Sequence, residues 1–150
     1  MKLTHNITIT EFVREGENLD SVKQALKELI PFDLKQEKIL LKEEITTGVD
    51  ERQTIKILTI FLQKENHTKK FLWFLMTKLS AEQKELLLKQ KESRTDNNLY
   101  FFIRLEKDKW NLSREASITD GGNCVHIKIL LAAFPAKKEN ALKIVDKIVC

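Results

Sequence analysis

The chain has very few of the residues that break, staple or punctuate a fold. Its 150 residues include only four glycines, two prolines and two cysteines. So few chain breakers argue against long disordered linkers and low-complexity tracts. Cys124, in an apolar stretch, and Cys150, the last residue, make neither a disulfide framework nor a zinc-ligand spacing. That usage fits a reducing cytoplasm. The three histidines, His5, His67 and His126, are far apart, and none has a metal-ligand partner three or four residues away. No stretch approaches the ~20 continuous apolar residues that a membrane span needs. The densest run, Phe71 to Met76, makes only a helix core. Met1 to Asn6 leads into an alternating segment and lacks the apolar run of a signal peptide, so a cytosolic protein is expected.

Catalytic signatures are missing as well. Gly121-Gly122 falls in a turn and opens no helix, so it is not a phosphate-binding loop. Ser21, Ser80, Ser93, Ser113 and Ser117 occupy cap, loop or strand contexts, without a strained nucleophile turn. Carboxylates fall mostly on helix faces beside lysines, the pattern of solvated i,i+4 pairs. An enzyme is not expected, and the sequence calls for no metal and no cofactor.

What is present describes one globular domain spanning residues 1–150, with 42% hydrophobic and 32% charged residues. The net charge of +4 is unevenly placed. Residues 1–63 carry −2, and residues 64–150 carry +6. A basic second half suits a polyanion such as RNA, although a solvated lysine surface reads the same way. Lysine far outnumbers arginine, which fits phosphate contacts better than bidentate reading of bases.

Ile7 to Val13 alternates at period two and predicts a first strand, with Ile7, Ile9 and Val13 on one face and Thr8, Thr10 and Phe12 on the other. Asn18 is a fitting N-cap for a helix whose stripe is Leu19, Val22, Leu26, Leu29 and Ile30, stopped by Pro31. Glu37 to Ile45 and Thr54 to Gln63 predict the second and third strands, joined as a hairpin by the polar loop 46–53. The third strand is apolar on both parities, which places it centrally or against another subunit. Thr68 to Leu79 takes helical spacing. Ser80-Ala81-Glu82-Gln83 is a capping box that starts a further helix to about Ser93. Leu99 to Leu105 predicts a fourth strand, followed by a short polar segment from Glu106 to Leu112 and a strand from Glu115 to Ile118. Asp120-Gly121-Gly122-Asn123 predicts a hairpin turn into a long strand ending at Leu131. Pro135 is expected to open the last helix, with Leu142, Val145, Ile148 and Val149 toward the core. The order predicts an α+β two-layer sandwich, a mostly antiparallel sheet with helices packed on one face.

Parity on that sheet places an unusual set together. If Leu99, Phe101, Ile103 and Leu105 point inward, then Tyr100, Phe102 and Arg104 point outward, and His126, Lys128 and Leu130 join them. Thr8, Thr10 and Phe12 would share the same face, as would Lys56. Tyr100, Phe102 and Phe12 offer stacking platforms, while Arg104, Lys128 and His126 offer phosphate-seeking charge. That combination suits single-stranded or looped RNA. Lys107 is added to these expected RNA contacts. The competing reading makes Phe12, Phe102 and Leu130 an apolar patch buried in a homodimer or against another protein. A second basic set, Lys69, Lys70, Lys78, Lys84, Lys89, Lys91 and Arg94, fits a solvated helix face better than a binding surface. Trp110, in the charged segment after the fourth strand, is read as an anchor for that segment rather than a base-stacking residue.

Four strings run through the chain in order. They are Val22 to Pro31 (VKQALKELIP), Lys78 to Glu82 (KLSAE), Asn97 to Lys107 (NNLYFFIRLEK) and Lys128 to Leu142 (KILLAAFPAKKENAL). Through them the chain resembles an archaeal family of RNA-binding proteins and predicted exosome subunits. The fold of that family is like that of the large-subunit ribosomal protein that binds the small ribosomal RNA. The resemblance implies RNA binding in RNA processing or degradation, with exosome or other RNA-processing proteins as partners, and it transfers no specific site residue. The loops depart from the family pattern at Arg14 to Asn18, around Gly48, and at Asp108 to Asn111.

Overall fold

The computed structural model of the chain describes residues 2–47 and 53–150. β1 (Thr4–Val13) leads to α1 (Leu19–Glu28), then to β2 (Leu41–Thr47) and β3 (Thr54–Leu62). Two helices follow, α2 (Glu65–Lys78) and α3 (Ala81–Lys89), then β4 (Tyr100–Glu106), α4 (Lys107–Ser113), β5 (Cys124–Leu131) and α5 (Lys138–Val149). The strands form one sheet in the order β2-β3-β1-β5-β4, and every neighbouring pair is antiparallel. This is the α+β sandwich that the alternation predicts, with the core between the sheet and the helices.

The period-two pattern sets which face is covered. Ile7 and Ile9 of β1, Leu58, Ile60 and Leu62 of β3, Phe101, Ile103 and Leu105 of β4, and Val125, Ile127 and Ile129 of β5 are all fully buried. They meet Ala25, Leu26 and Leu29 of the α1 region, Phe71 and Leu75 of α2, and Val145 of α5. The helix starts follow local chemistry. Asn18 Oδ1 accepts from the Ser21 amide at 3.1 Å, and Ser80 Oγ accepts from the Gln83 amide at 3.1 Å. Both caps are the predicted ones.

Several expectations need correction. The second strand begins at Leu41, because residues 34–38 coil into turns closed by Glu37 N to Asp33 O and Ile39 N to Leu34 O. The predicted loop 46–53 lies mostly outside the described residues, although Thr47 pairs with Thr54 across β2 and β3. Lys56 pairs with Val13, so it belongs to the helix-covered side rather than the open one. The segment after β4 is the helix α4. Lys107 and Trp110 stand three residues apart on its buried side. The expected strand Glu115 to Ile118 shrinks to a single bridge between Ile118 and Leu105. No hairpin forms at Asp120 to Asn123, since β5 pairs with β1 and β4. Among the described glycines only Gly16 takes a positive φ, +92°. The last helix starts at Lys138, three residues beyond Pro135. Ala141 and Ile144 join Val145, Ile148 and Val149 in its buried stripe, leaving Leu142 half-buried.

α4 is fixed by its neighbours. The buried Trp110 indole N–H donates to Ala25 O at 2.7 Å, which ties α4 to α1. Arg114 ends α4 in the left-handed region at φ 57°. Its guanidinium is held by Glu28 Oε2 at 2.6 Å and Asn111 O at 2.5 Å. Trp110 is therefore the anchor that the sequence predicts.

Candidate nucleic-acid interface

The face of the sheet opposite the helices is built from the outward parity of the same strands. Register sets its side chains in rows across the sheet, because residues directly opposite in antiparallel strands share a face. One row runs Phe61, Thr8, Lys128, Phe102. The next runs Thr59, Thr10, His126, Arg104. Asn6, Leu130 and Tyr100 lie on one side of these rows, and Ile57 with Phe12 on the other. Phe12 is 50% exposed and Phe61 46%. Tyr100, Phe102, Arg104, His126 and Lys128 are half-buried, with their backbone in the sheet and their outer surface open.

The rings form a connected set. Phe102 lies 6.4 Å from Tyr100 and 5.6 Å from His126 between centroids, tilted by 37° and 41°. The Lys128 ammonium stands 4.1 Å over the Tyr100 ring. A ring set on strands keeps its spacing, because each χ1 is braced by cross-strand neighbours. Arg104 Nη1 donates to Asp120 O at 3.2 Å, which holds the guanidinium over the β4–β5 end of the face.

Charge on the face is uncompensated where the rings are. Neither Arg104 nor Lys128 has a carboxylate ion-pair partner among the described residues. Nearby carboxylates are engaged elsewhere: Asp120 with Arg94 at 3.0 Å and Glu106 with Lys109 at 3.5 Å. Burial, followed by Arg104 and Lys128, pushes the His126 imidazole below its ordinary range. Near neutral pH it is therefore a neutral ring and hydrogen-bonding group, so the cationic role expected of it falls to Arg104 and Lys128.

The structure brings together Phe12, Tyr100, Phe102, Arg104, His126 and Lys128 on this open face. Lys107 is the exception and a correction. It is 2% exposed, and its ammonium is held by Phe12 O at 2.5 Å and Glu17 Oε1 at 2.8 Å. As the first residue of α4 it turns inward, away from any RNA on the face. Beside it Glu11, 1% exposed, accepts from Asn111 Nδ2 at 3.1 Å. Burial raises the Glu11 carboxyl from 4.5 to about 7 against the pull of Asn111 and Lys107. For Glu17, burial is outweighed by the hydrogen bonds from Lys107 and the Arg14 amide, so its carboxyl sits below its ordinary range. Phe61 is a member of the face that the sequence reading left out. Its phase with Ile55 and Ile57 on the third strand was the available signal.

No group of three or more His, Cys, Asp or Glu among the described residues is placed to hold a metal ion. No helix among them is long and apolar enough to cross a membrane. A shallow depression lined by Thr10, Phe12, Arg104, Cys124 and His126 opens on the ring set. Among the described residues no hydrogen bond joins its Cys124 and His126, and burial pushes the Cys124 thiol up. This surface can stack planar groups and neutralise phosphates.

Known proteins share this architecture. The chain is 30% identical over 141 residues to the "RNA-binding protein PAB1135" of Pyrococcus abyssi, covering 94% of this chain and 90% of that protein. The crystal structure of protein AF2318 from Archaeglobus fulgidus superposes with a TM-score of 0.78 at 27% identity, covering 100% of both chains. Mth689, a DUF54 protein from Methanothermobacter thermautotrophicus, gives a TM-score of 0.76 at 25% identity, covering 99% of each. A family model described as RNA binding matches residues 6–131, a span that runs from within β1 to the end of β5 and holds the whole ring set. The chain belongs to this RNA-binding family.

Proposed function

We propose that this protein is a non-catalytic, archaeal RNA-binding protein of the cytoplasm that holds single-stranded or looped RNA on the open sheet face. The observation that carries the reading is the pairing of connected rings with unpaired cations on an uncovered face: Tyr100, Phe102 and His126 beside Arg104 and Lys128. Bases would stack on Phe102, Tyr100 and Phe12, and phosphates would sit against Arg104 and Lys128. Lys128 covers Tyr100 in the free protein, so a base entering there exchanges one cation–π contact for stacking and frees the ammonium for a phosphate. The family supports the choice of RNA as ligand. Work in RNA processing or degradation, exosome-related, is the setting we assign to it.

The test is a titration of fluorescently labelled single-stranded and hairpin RNA at two salt concentrations. Saturable binding that weakens steeply with salt is expected. Tyr100→Ala and Phe102→Ala should each cost about 1–3 kcal/mol of affinity. Lys128→Ala should lower the slope of log affinity against log salt by about 1. Absence of saturable binding at low salt, or binding indifferent to Tyr100→Ala and Lys128→Ala, rejects the reading.

A second reading has its own observation. Ile57 and Phe61 place apolar surface on the open face at β3, and β2 beside it has no strand on its outer edge among the described residues. A homodimer or protein-interaction module would cover that region. Light scattering separates the two, since a monomer at all concentrations removes the homodimer.

A further inference from the structure

The helix layer carries a surface that RNA binding on the sheet leaves unused. A groove of about 390 Å³ opens between α2 and α5. Its floor is apolar: Leu72 and Met76 from α2, Ile148 and Val149 from α5, and Leu3 ahead of β1. On its wall stands Trp73, 71% exposed, on the outward side of α2 next to the buried Leu72. Lysines rim the groove. Lys69 is paired with Glu65 at 3.0 Å, while Lys84 and Lys147 have no carboxylate partner among the described residues. Of the seven basic residues that the sequence groups on the helical pair, Lys69 and Lys84 border this groove, and Lys147 of α5 joins them across it.

We propose that this groove docks a short acidic, amphipathic peptide segment of a partner protein, with one large apolar side chain packed on Trp73 and flanking carboxylates on Lys84 and Lys147. The floor selects protein over RNA: it is aliphatic and offers a single ring, whereas a nucleotide chain needs a succession of stacking platforms. Its volume fits a few side chains. An exposed tryptophan over an apolar, concave floor has the make-up of an interface hot spot. Two unpaired ammonium groups beside a low-dielectric floor set the sign of the charge that the partner must bring. The groove lies on the helix side of the molecule, opposite the ring set. RNA and a protein partner can therefore be held at once, which makes the chain an adaptor rather than an end point.

The experiment is selection of random peptides displayed on phage against the full chain, followed by anisotropy titration of the enriched peptides as labelled synthetic probes. Enriched sequences are expected to carry Asp or Glu around one large apolar residue. They should bind Trp73→Ala and the Lys84→Glu/Lys147→Glu double variant at least about tenfold more weakly. Trp73 and Lys147 are exposed and Lys84 is half-buried. Unchanged thermal unfolding of each variant, and unchanged binding of labelled single-stranded RNA to Trp73→Ala, keep the loss assigned to the groove and separate from the sheet. The milder Lys84→Ala should give a smaller loss in the same direction. No enrichment, a neutral or basic consensus, or peptides indifferent to both variants overturns the proposal. It is equally overturned if RNA affinity collapses in the double lysine variant, which assigns the groove to RNA. Self-association that disappears in Trp73→Ala would assign it to a second copy and overturn it too.

Discussion

Glu11 shows how one residue can read as ordinary in sequence and carry an unusual load in the fold. It sits between Ile9 and Val13 in the inward phase of β1, so alternation alone buries it. Its Oε1 has no hydrogen-bond partner, and its carboxyl is raised from 4.5 to about 7 by that burial. The sign follows from proton binding. Between those values the folded chain keeps a proton that the unfolded chain has released, so this contribution to stability is full below about 4.5 and is lost as pH rises through about 7. Glu11→Gln removes the ionisation. Relative to the wild type it should gain up to about 3 kcal/mol between pH 5 and pH 8 in denaturant unfolding. A stability difference that stays constant across that range contradicts the assignment. Lys107 teaches the complementary lesson. Its charge suggests an RNA contact, yet its place three residues before Trp110 on a short helix turns it toward Glu17 and the Phe12 carbonyl. The clue was the spacing to Trp110, and it is weak because one buried ring on a seven-residue helix barely makes a stripe.

At the scale of elements, what is decided locally was legible and what is decided by partners was not. Ser80 and Asn18 cap α3 and α1 because a side-chain oxygen reaches an amide three residues on, a geometry that needs no tertiary neighbour. Ser80→Ala should therefore cost about 1 kcal/mol, or about 2–4 °C in a thermal melt, with no change in RNA affinity. An unchanged melting temperature would mean that packing of Leu87 alone sets the start of α3. β1, β4 and β5 were legible from their two-residue period, which also gives their inward residues, and β3 from an apolar run on both parities. The stretch Glu115 to Ile118 was not, because it has the composition of a strand but only one bridge to pair with. The outer edge of β4 is closed by loops instead: Phe102 N donates to Arg94 O, Glu106 N to Ser117 O, and Thr119 N to Arg104 O, each at 2.8–2.9 Å. The glycine pair expected to turn a hairpin redirects the chain into β5 without a left-handed residue.

The whole molecule is two layers with different surfaces: rings beside Arg104 and Lys128 on the sheet, and a lysine-rimmed apolar groove on the helices. Parity foretold which strand residues would share the open face. The element order likewise foretold helices packed on the other face, because their apolar stripes need a sheet to cover. Lys56 marks the limit. A one-residue phase decision puts it on the open side, and its pairing with Val13 puts it on the covered one. The most direct measurement is a two-dimensional amide NMR titration of the full chain with a short single-stranded RNA. Shifts are predicted at Thr8, Thr10, Tyr100, Phe102, Arg104, His126 and Lys128, with the amides of α2 and α5 left in place. Shifts concentrated on α2, α3 and α5, with a silent sheet face, would contradict the proposal that RNA lies across the strands.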